Sequence, residues 1–395
     1  MEWYWLSWLR FDDYKIIYSW GESMKEEQAI VLLARYSLSE AEVQEIDQLL
    51  KEDFDWYSFF IYALNNKVIG LVFYNLKKYQ LMRRMKPIIY YLMKYYYYGN
   101  KHRNQVIMKE KELIINAMRE KNIRILSLKG GVLLDCVYTD YGSRTCNDLD
   151  FFCSLNDVEA IAQVVGGLGY VQGEYNWNTN TVTDFSRIKK LGWKMNMNTI
   201  PTYVKKIEGN EYIDFLELDF SYSFDLRKDV SISATVFENS KEYEMSEIDS
   251  IIYLCSHLYK EAENDIWIEA KADLNLIKFC DVREVIKRIG ERDIESLIAR
   301  SIELDCWKAV LYCAYYMTIL YGDNYLTIIN MYKEKGYELI ETKFDKLDFS
   351  SKSREFFYKR LFNYDNSIDL LDKQFVLKKQ FIDEKEEKNA IFRDC

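Results

Sequence analysis

The stretch LSLKGGVLLDCVYTDYGSRTCNDLDFFC, residues 126–153, holds the residues best suited to chemistry. Asp148 and Asp150 flank Leu149 and lead into the apolar pair Phe151-Phe152. On a strand, residues i and i+2 face the same side, so these two carboxylates converge on one point. Like charges held that close are costly unless a cation neutralises them. A hard divalent ion with oxygen ligands is the matching partner, and Mg2+ commonly bridges carboxylates to substrate phosphates. A third carboxylate is expected on an adjacent strand, and Glu217 and Asp219 in FLELDF repeat the i, i+2 spacing. Upstream, the β-rich run Ile123 to Leu128 ends in Lys129-Gly130-Gly131. A strand that passes through Gly-Gly into a helix aims free backbone N–H groups at whatever sits above it, and Lys129 adds a charge suited to phosphate. The parts assemble a phosphoryl-transfer site. The glycine-rich backbone would cradle a triphosphate and the paired acids would hold one or two metals. The third acid would ligate the second metal or deprotonate the acceptor.

The elements that must position these residues are legible in outline. Residues 39–80 read as helical. Ser39 and Glu42 have capping-box spacing, and a second helix is expected after Asp55. Residues 88–120 read as one long helix, with Gly99 as the place for a kink and Tyr95 to Tyr98 on consecutive faces. A helix is expected from Val132 to Tyr138 and another from Asn156 to Val165, with a turn into a strand at Gly167 to Val171. Residues 174–210, rich in Asn, Thr and Gly, read as strands and loops, and 212–224 alternate in the strand manner. From the cap at Ser246 the chain is helical again to about 337, and the charged C-terminal end is expected to fray. The regions are therefore 1–120 helical, 121–240 a mixed α/β core and 241–395 helical.

Composition narrows the class. The chain has 395 residues, 49% hydrophobic and 29% charged, with 15 Gly and 2 Pro, which suits a globular, helix-rich protein. A formal net charge of -10 disfavours nucleic acid as the main partner. The charge is uneven: residues 77–124 carry 13 Lys/Arg against 3 Glu, which reads either as a steering surface for an anionic substrate or as a solvated helix face. Eight cysteines without a CxxC pair, and only two histidines, argue against zinc and for reduced thiols in a cytoplasmic setting. The Trp-rich N-terminus is interrupted by Arg10, Asp12 and Asp13, so neither a secretory signal nor a membrane span is expected there.

The order Leu128-Lys129-Gly130, Tyr138, Arg144, then Asp148-x-Asp150 with two apolar residues resembles a broad, mostly uncharacterised bacterial nucleotidyltransferase family of the DNA polymerase β superfamily. Asp55-Trp56, Gly167 to Tyr170, Glu217 to Phe220 and Leu254 to Leu258 fall in the family's order, so the resemblance spans roughly residues 50–290. It implies an α+β fold, with a polymerase-β-like core of small mixed sheet and helices flanked by N- and C-terminal helical regions. It implies transfer of an NMP group from an NTP such as ATP to a hydroxyl or other nucleophile, on a small molecule, peptide or protein, with release of pyrophosphate. Mg2+ or Mn2+ would be held by Asp148 and Asp150. Glu217 most resembles the third acid, with Asp219 standing where many members carry His. Lys129, Gly130, Gly131 and Arg144 would contact nucleotide phosphates, and His257 would sit near the site as an acceptor-side base or phosphate contact. The residues alone also allow His257 to be a helix-packing histidine and Asp281 to cap or pair structurally. The other reading is an antitoxin-like regulatory or binding protein of the same fold that transfers nothing.

Overall fold

The computed structural model describes residues 25–362 apart from 52, 197–198, 225–230, 270–272 and 323–324. The Trp-rich N-terminus and the charged C-terminal end lie outside the described residues. Among the described residues five α-helices come first: α1 (Lys25–Leu33), α2 (Glu40–Leu49), α3 (Trp56–Asn65), α4 (Ile69–Lys78) and α5 (Pro87–Glu120). The Ser39–Glu42 capping box starts α2, and the Asp55 carboxylate accepts from the Tyr57 and Ser58 N–H groups to start α3. Pro87 opens the 34-residue α5, where its missing N–H costs nothing.

The middle of the chain runs β1 (Ile125–Leu128), α6 (Gly130–Cys136), β2 (Asp148–Cys153), α7 (Val158–Gly167), β3 (Val171–Asn176), β4 (Thr181–Asp184), α8 (Arg187–Asn196), β5 (Tyr203–Lys206) and β6 (Phe215–Ser221). The six strands form one mixed sheet in the order β1-β2-β6-β5-β3-β4. Among the described strands, β2 and β6 are the parallel pair, and the other neighbours are antiparallel. Seven helices follow: α9 (Ser231–Asn239), α10 (Glu247–Ala262), α11 (Asp265–Glu269), α12 (Leu276–Ile286), α13 (Glu291–Glu303), α14 (Trp307–Tyr321), α15 (Leu326–Glu334) and, as an eighth after a longer connection, α16 (Ser351–Phe362). The Ser246 hydroxyl caps α10 by accepting from the Asp249 N–H. One apolar core runs from Ala29 to Phe362, so helices and sheet share a single buried interior.

The fold is mixed α+β, one six-stranded mixed sheet with flanking helices. Two local readings change. The segment expected to be strand and loop holds helix α8, whose Ile188 and Leu191 stay exposed, so no buried face announced it. Helix α16 lies beyond the expected helical limit near 337 and buries Phe357 and Leu361. No helix among the described residues is long and apolar enough to cross a membrane.

Helix α5 does more than pack. The Asn100 Nδ2 group donates to the carbonyls of Gly142 and Arg144, each at 3.1 Å. One turn on, Asn104 donates to the carbonyls of Tyr141 and Arg144, each at 2.7 Å. Both asparagines are buried, and their i, i+4 spacing puts them on one helix face. Tyr97 on the same helix leaves room only for glycine at 142, where an added Cβ would come within 2.5 Å of the ring. The Tyr96 hydroxyl meets that of Thr145 at 3.0 Å, and Arg103 donates to the Cys146 carbonyl and the Asn147 side chain. Residues 141–147 are thus clamped before the chain enters β2. Replacing Asn104 with Ala leaves the Tyr141 carbonyl without a donor, at about 1–3 kcal/mol, and the Arg144 carbonyl with Asn100 alone. We expect Asn104→Ala to lose about 1–3 kcal/mol in denaturant unfolding, and a loss below about 0.5 kcal/mol would refute the clamp.

Candidate active site

The register of the parallel pair places Asp148 opposite Glu217 and Asp150 opposite Asp219. Leu149, Phe151, Leu218 and Phe220 point to the other face of the sheet and are fully buried, with the Phe151 and Phe220 rings stacked at 5.4 Å. All four carboxylates therefore belong to one face. Within that set, carboxylate oxygens of Asp148, Asp150 and Asp219 lie within 4.8 Å of one another. Glu217 is not in the group of three, although it was the sequence's first choice for third acid. Spacing could not separate Glu217 from Asp219, because both share a face. Lateral pairing separates them, since Asp219 stands beside the buried Asp150 and Glu217 beside Asp148 at the strand entrance.

Three groups hold the acids in place. The Lys129 ammonium donates to Asp150 Oδ1 at 2.7 Å. The Thr202 hydroxyl donates to Asp219 Oδ1 at 2.6 Å. The Cys146 thiol donates to the Asp148 carbonyl at 3.2 Å. Burial raises the Asp150 carboxyl, Asp148 and Asp219 push the same way, and Lys129 opposes them; the balance stands at about 7. Burial alone would lower Lys129, but the field of Asp150 and its neighbours keeps the ammonium well above the ordinary lysine range. Lys129 also adopts φ +43°, a region L side chains rarely visit, at a local cost on the order of 1–3 kcal/mol.

Other expected site residues also have structural work. Arg144 was expected at nucleotide phosphate. Its guanidinium is buried instead, donating from Nε and Nη2 to Asp281 on α12 at 3.0 and 2.7 Å and from Nη1 to the Thr145 carbonyl. The planar fork fits one carboxylate with two parallel bonds, and the pair ties the 141–147 loop to the C-terminal helices. The Arg144 guanidinium also sits 6.0 Å over the ring of Tyr138, so two residues of the recognised motif serve the scaffold. Gly130 is likewise a packing residue: an added Cβ would come within 2.5 Å of Cys146 Sγ and 2.7 Å of Arg144 Nη1. Gly131 has ordinary space, with Leu149 Cδ2 at 3.4 Å, and its carbonyl accepts from Lys111 of α5 at 2.6 Å. The N–H groups of Gly130 and Gly131 open the first turn of α6 and have no acceptor within the helix. His257 on α10 is half-buried, with Nε2 3.3 Å from Glu261 Oε1. Burial and then the charges of Lys129, Lys260 and Lys278 hold it well below the usual histidine range, so it is neutral at pH 7.

The basic strip also changes meaning. Arg103 and Lys111 donate to the backbone around the acids, and Lys101 pairs with Asp140 at 3.3 Å. Much of that positive charge is therefore structural. Sequence reading missed Thr202 altogether, and no motif could have flagged it. It also missed Asn100 and Asn104, whose helical spacing was visible in a basic strip.

With this geometry in hand, the family description "Uncharacterised nucleotidyltransferase" matches residues 52–322. The chain belongs to that family. No match was found among curated proteins or among solved structures. The matched span takes in α3 through α14, so it covers the sheet, the clamped loop, and the helices that carry His257 and Asp281. A member of this family with an aspartate triad able to hold metal is the statement that function must build on.

The glycine pair offers a clean contrast. Overpacking typically costs about 1–3 kcal/mol, whereas Gly to Ala at an unhindered helical site gains up to about 1 kcal/mol. Thermal unfolding should show Gly130→Ala melting lower than wild type and Gly131→Ala melting at or above it. Equal melting of the two variants would contradict the packing role of Gly130.

Proposed function

We propose that the protein is a divalent-metal-dependent nucleotidyltransferase, with Mg2+ or Mn2+ held by Asp148, Asp150 and Asp219. It would move an NMP group from an NTP to a hydroxyl or other nucleophile of a small molecule, peptide or protein. The acceptor oxygen attacks the α-phosphorus, the α–β phosphoanhydride bond breaks, and pyrophosphate leaves with the bonding electron pair. The observation that carries this reading is the convergence of three carboxylates beside the Lys129-Gly130-Gly131 turn. Three acidic oxygens and no nitrogen or sulfur form a donor set that suits a hard cation. A binding-only role gives no reason to hold like charges together at an electrostatic cost.

A divalent ion at this place would neutralise the carboxylates against the phosphates and polarise the α-phosphorus. The chain's own groups do the remaining work. Lys129 keeps its proton and presents a fixed positive charge beside the carboxylates, where the phosphate chain must pass. The N–H groups of Gly130 and Gly131 are donors for phosphate oxygens, so these residues combine packing with binding. Asp219, with Oδ1 fixed by Thr202, offers Oδ2 to the acceptor's proton. Glu217, one position nearer the strand entrance on the same face, is assigned no catalytic step.

Two tests follow. Asp148→Asn and Asp219→Asn should each abolish metal-dependent turnover of labelled ATP, GTP, CTP or UTP while melting within a few degrees of wild type. Undiminished product from either variant would refute the site, and a wild type that forms no product and binds no nucleotide with Mg2+ would refute the function. The second test is pH. The carboxyl of Asp150 is protonated below about 7 and must lose that proton to ligate, so metal affinity falls as pH falls. Mn2+ titrations at pH 6, 7 and 8 should show affinity rising with pH, with a slope approaching tenfold per unit below 7. A flat profile would contradict the raised carboxyl.

A further inference from the structure

Helix α10 lays one face toward the carboxylates. Its Tyr253 hydroxyl lies 3.5 Å from the Ser221 hydroxyl at the end of β6, and His257 and Lys260 follow at i+4 and i+7. The charges on and around this face are mostly paired. Lys129 is bound to Asp150. Glu261 takes His257 on Oε1 and Lys278 of α12 on Oε2. Lys260 is different: among the described residues, no carboxylate or other acceptor pairs with its ammonium. It is half-buried all the same, and it lies in the field of both Lys129 and Asp150. Taking an ammonium partly out of water without a partner is costly. Burial and the like charge of Lys129 pull Lys260 below the ordinary lysine range. The fold therefore keeps an unpaired cation on the face of α10 that Tyr253 brings to the end of β6, within the field of Lys129 and Asp150.

We propose that Lys260 binds the terminal phosphates of the nucleotide, and the pyrophosphate that leaves, while Lys129 stands at the reacting end. The inference rests on the nucleotidyltransferase reading for the identity of the polyphosphate. A polyphosphate is long and highly charged, so it can reach from the metal-holding acids to a second cation. Lysine suits it as a compact point charge. Lys278 cannot substitute without giving up Glu261. His257 is neutral and engaged with Glu261, so it sets the shape of the pocket rather than its charge.

The test uses the full chain and inorganic pyrophosphate as the probe, titrated calorimetrically with Ca2+ present, beside Lys260→Met, Lys260→Arg and Asp148→Asn. Met keeps the apolar stem, so the fold should survive, which thermal melting and Mn2+ binding both check. Loss of a charge-assisted contact should weaken pyrophosphate binding about ten- to a hundredfold in Lys260→Met. Lys260→Arg should restore most of it, and Mn2+ affinity should not fall below the wild-type value in either variant. Orthophosphate and sulfate should bind more weakly than pyrophosphate to the wild type. Wild-type pyrophosphate affinity in Lys260→Met, failure of Arg to restore it, or no binding by the wild type would overturn the proposal. The two readings fail separately. Pyrophosphate binding through Lys260 without any NMP transfer overturns the function and leaves this subsite. NMP transfer by Lys260→Met with an unchanged KM for the nucleotide overturns the subsite and leaves the function.

Discussion

Three carboxylates brought within 4.8 Å of one another are the expensive feature of this protein. Their repulsion is not relieved by solvent at Asp150, which is buried, and a single ammonium from Lys129 offsets only part of it. A fold left to its own stability would let these strands slide apart or change register. What prevents this is on the opposite face of the sheet. Leu149 and Phe151 on β2 pack beside Leu218 and Phe220 on β6, all fully buried. A slip of one residue on either strand would turn that strand's apolar residues to the acidic face and its acids into the core. Hydrophobic burial on one side therefore fixes a charge arrangement on the other whose repulsion Lys129 and Thr202 offset only in part.

The approach to β2 follows the same logic. Asp148 is useful only if the chain enters the strand at a fixed angle, and residues 141–147 have no regular hydrogen-bond ladder to fix it. The fold supplies donors from outside instead. Asn100 and Asn104 satisfy three carbonyls between them, Arg103 reaches the two residues before Asp148, and Arg144 is anchored on Asp281. Each bond satisfies a backbone or charged group that burial would otherwise penalise. Because the donors Asn100, Arg103 and Asn104 lie on α5 and the acceptor Asp281 lies on α12, the N-terminal and C-terminal helices are part of the site's geometry.

The sequence was informative where chemistry depends on near neighbours. The capping residues Ser39, Asp55 and Ser246, the single long helix α5 and the Asp-x-Asp strand need only local spacing, and the structure shows each of them. It was silent where the partner is distant. Arg144 and Asp281 are 137 positions apart, so a buried ion pair and a phosphate ligand look alike in one dimension. Gly130 was ambiguous for a related reason. A glycine before a helix fits both an approaching anion and a crowded neighbour, and only the position of Cys146 Sγ makes the crowding visible. Glu217 and Asp219 differ by two residues on one strand, so choosing between them required lateral register.

Charge shows most clearly how counting and placement differ. The 77–124 segment is the most basic in an acidic chain, and it invited the thought of an open cationic surface. Yet Arg103 and Lys111 are bound to the backbone they position, and Lys101 to Asp140. A cation already satisfied by a carbonyl or carboxylate has little left to offer a ligand. Lys260 is a half-buried ammonium that has no such partner among the described residues, on a helix whose composition gave no hint of it. What matters for an arriving anion is therefore the charge that folding leaves unpaired and partly desolvated. In this chain α10 carries such a charge, so a phosphate chain lying over the acids would run toward that helix.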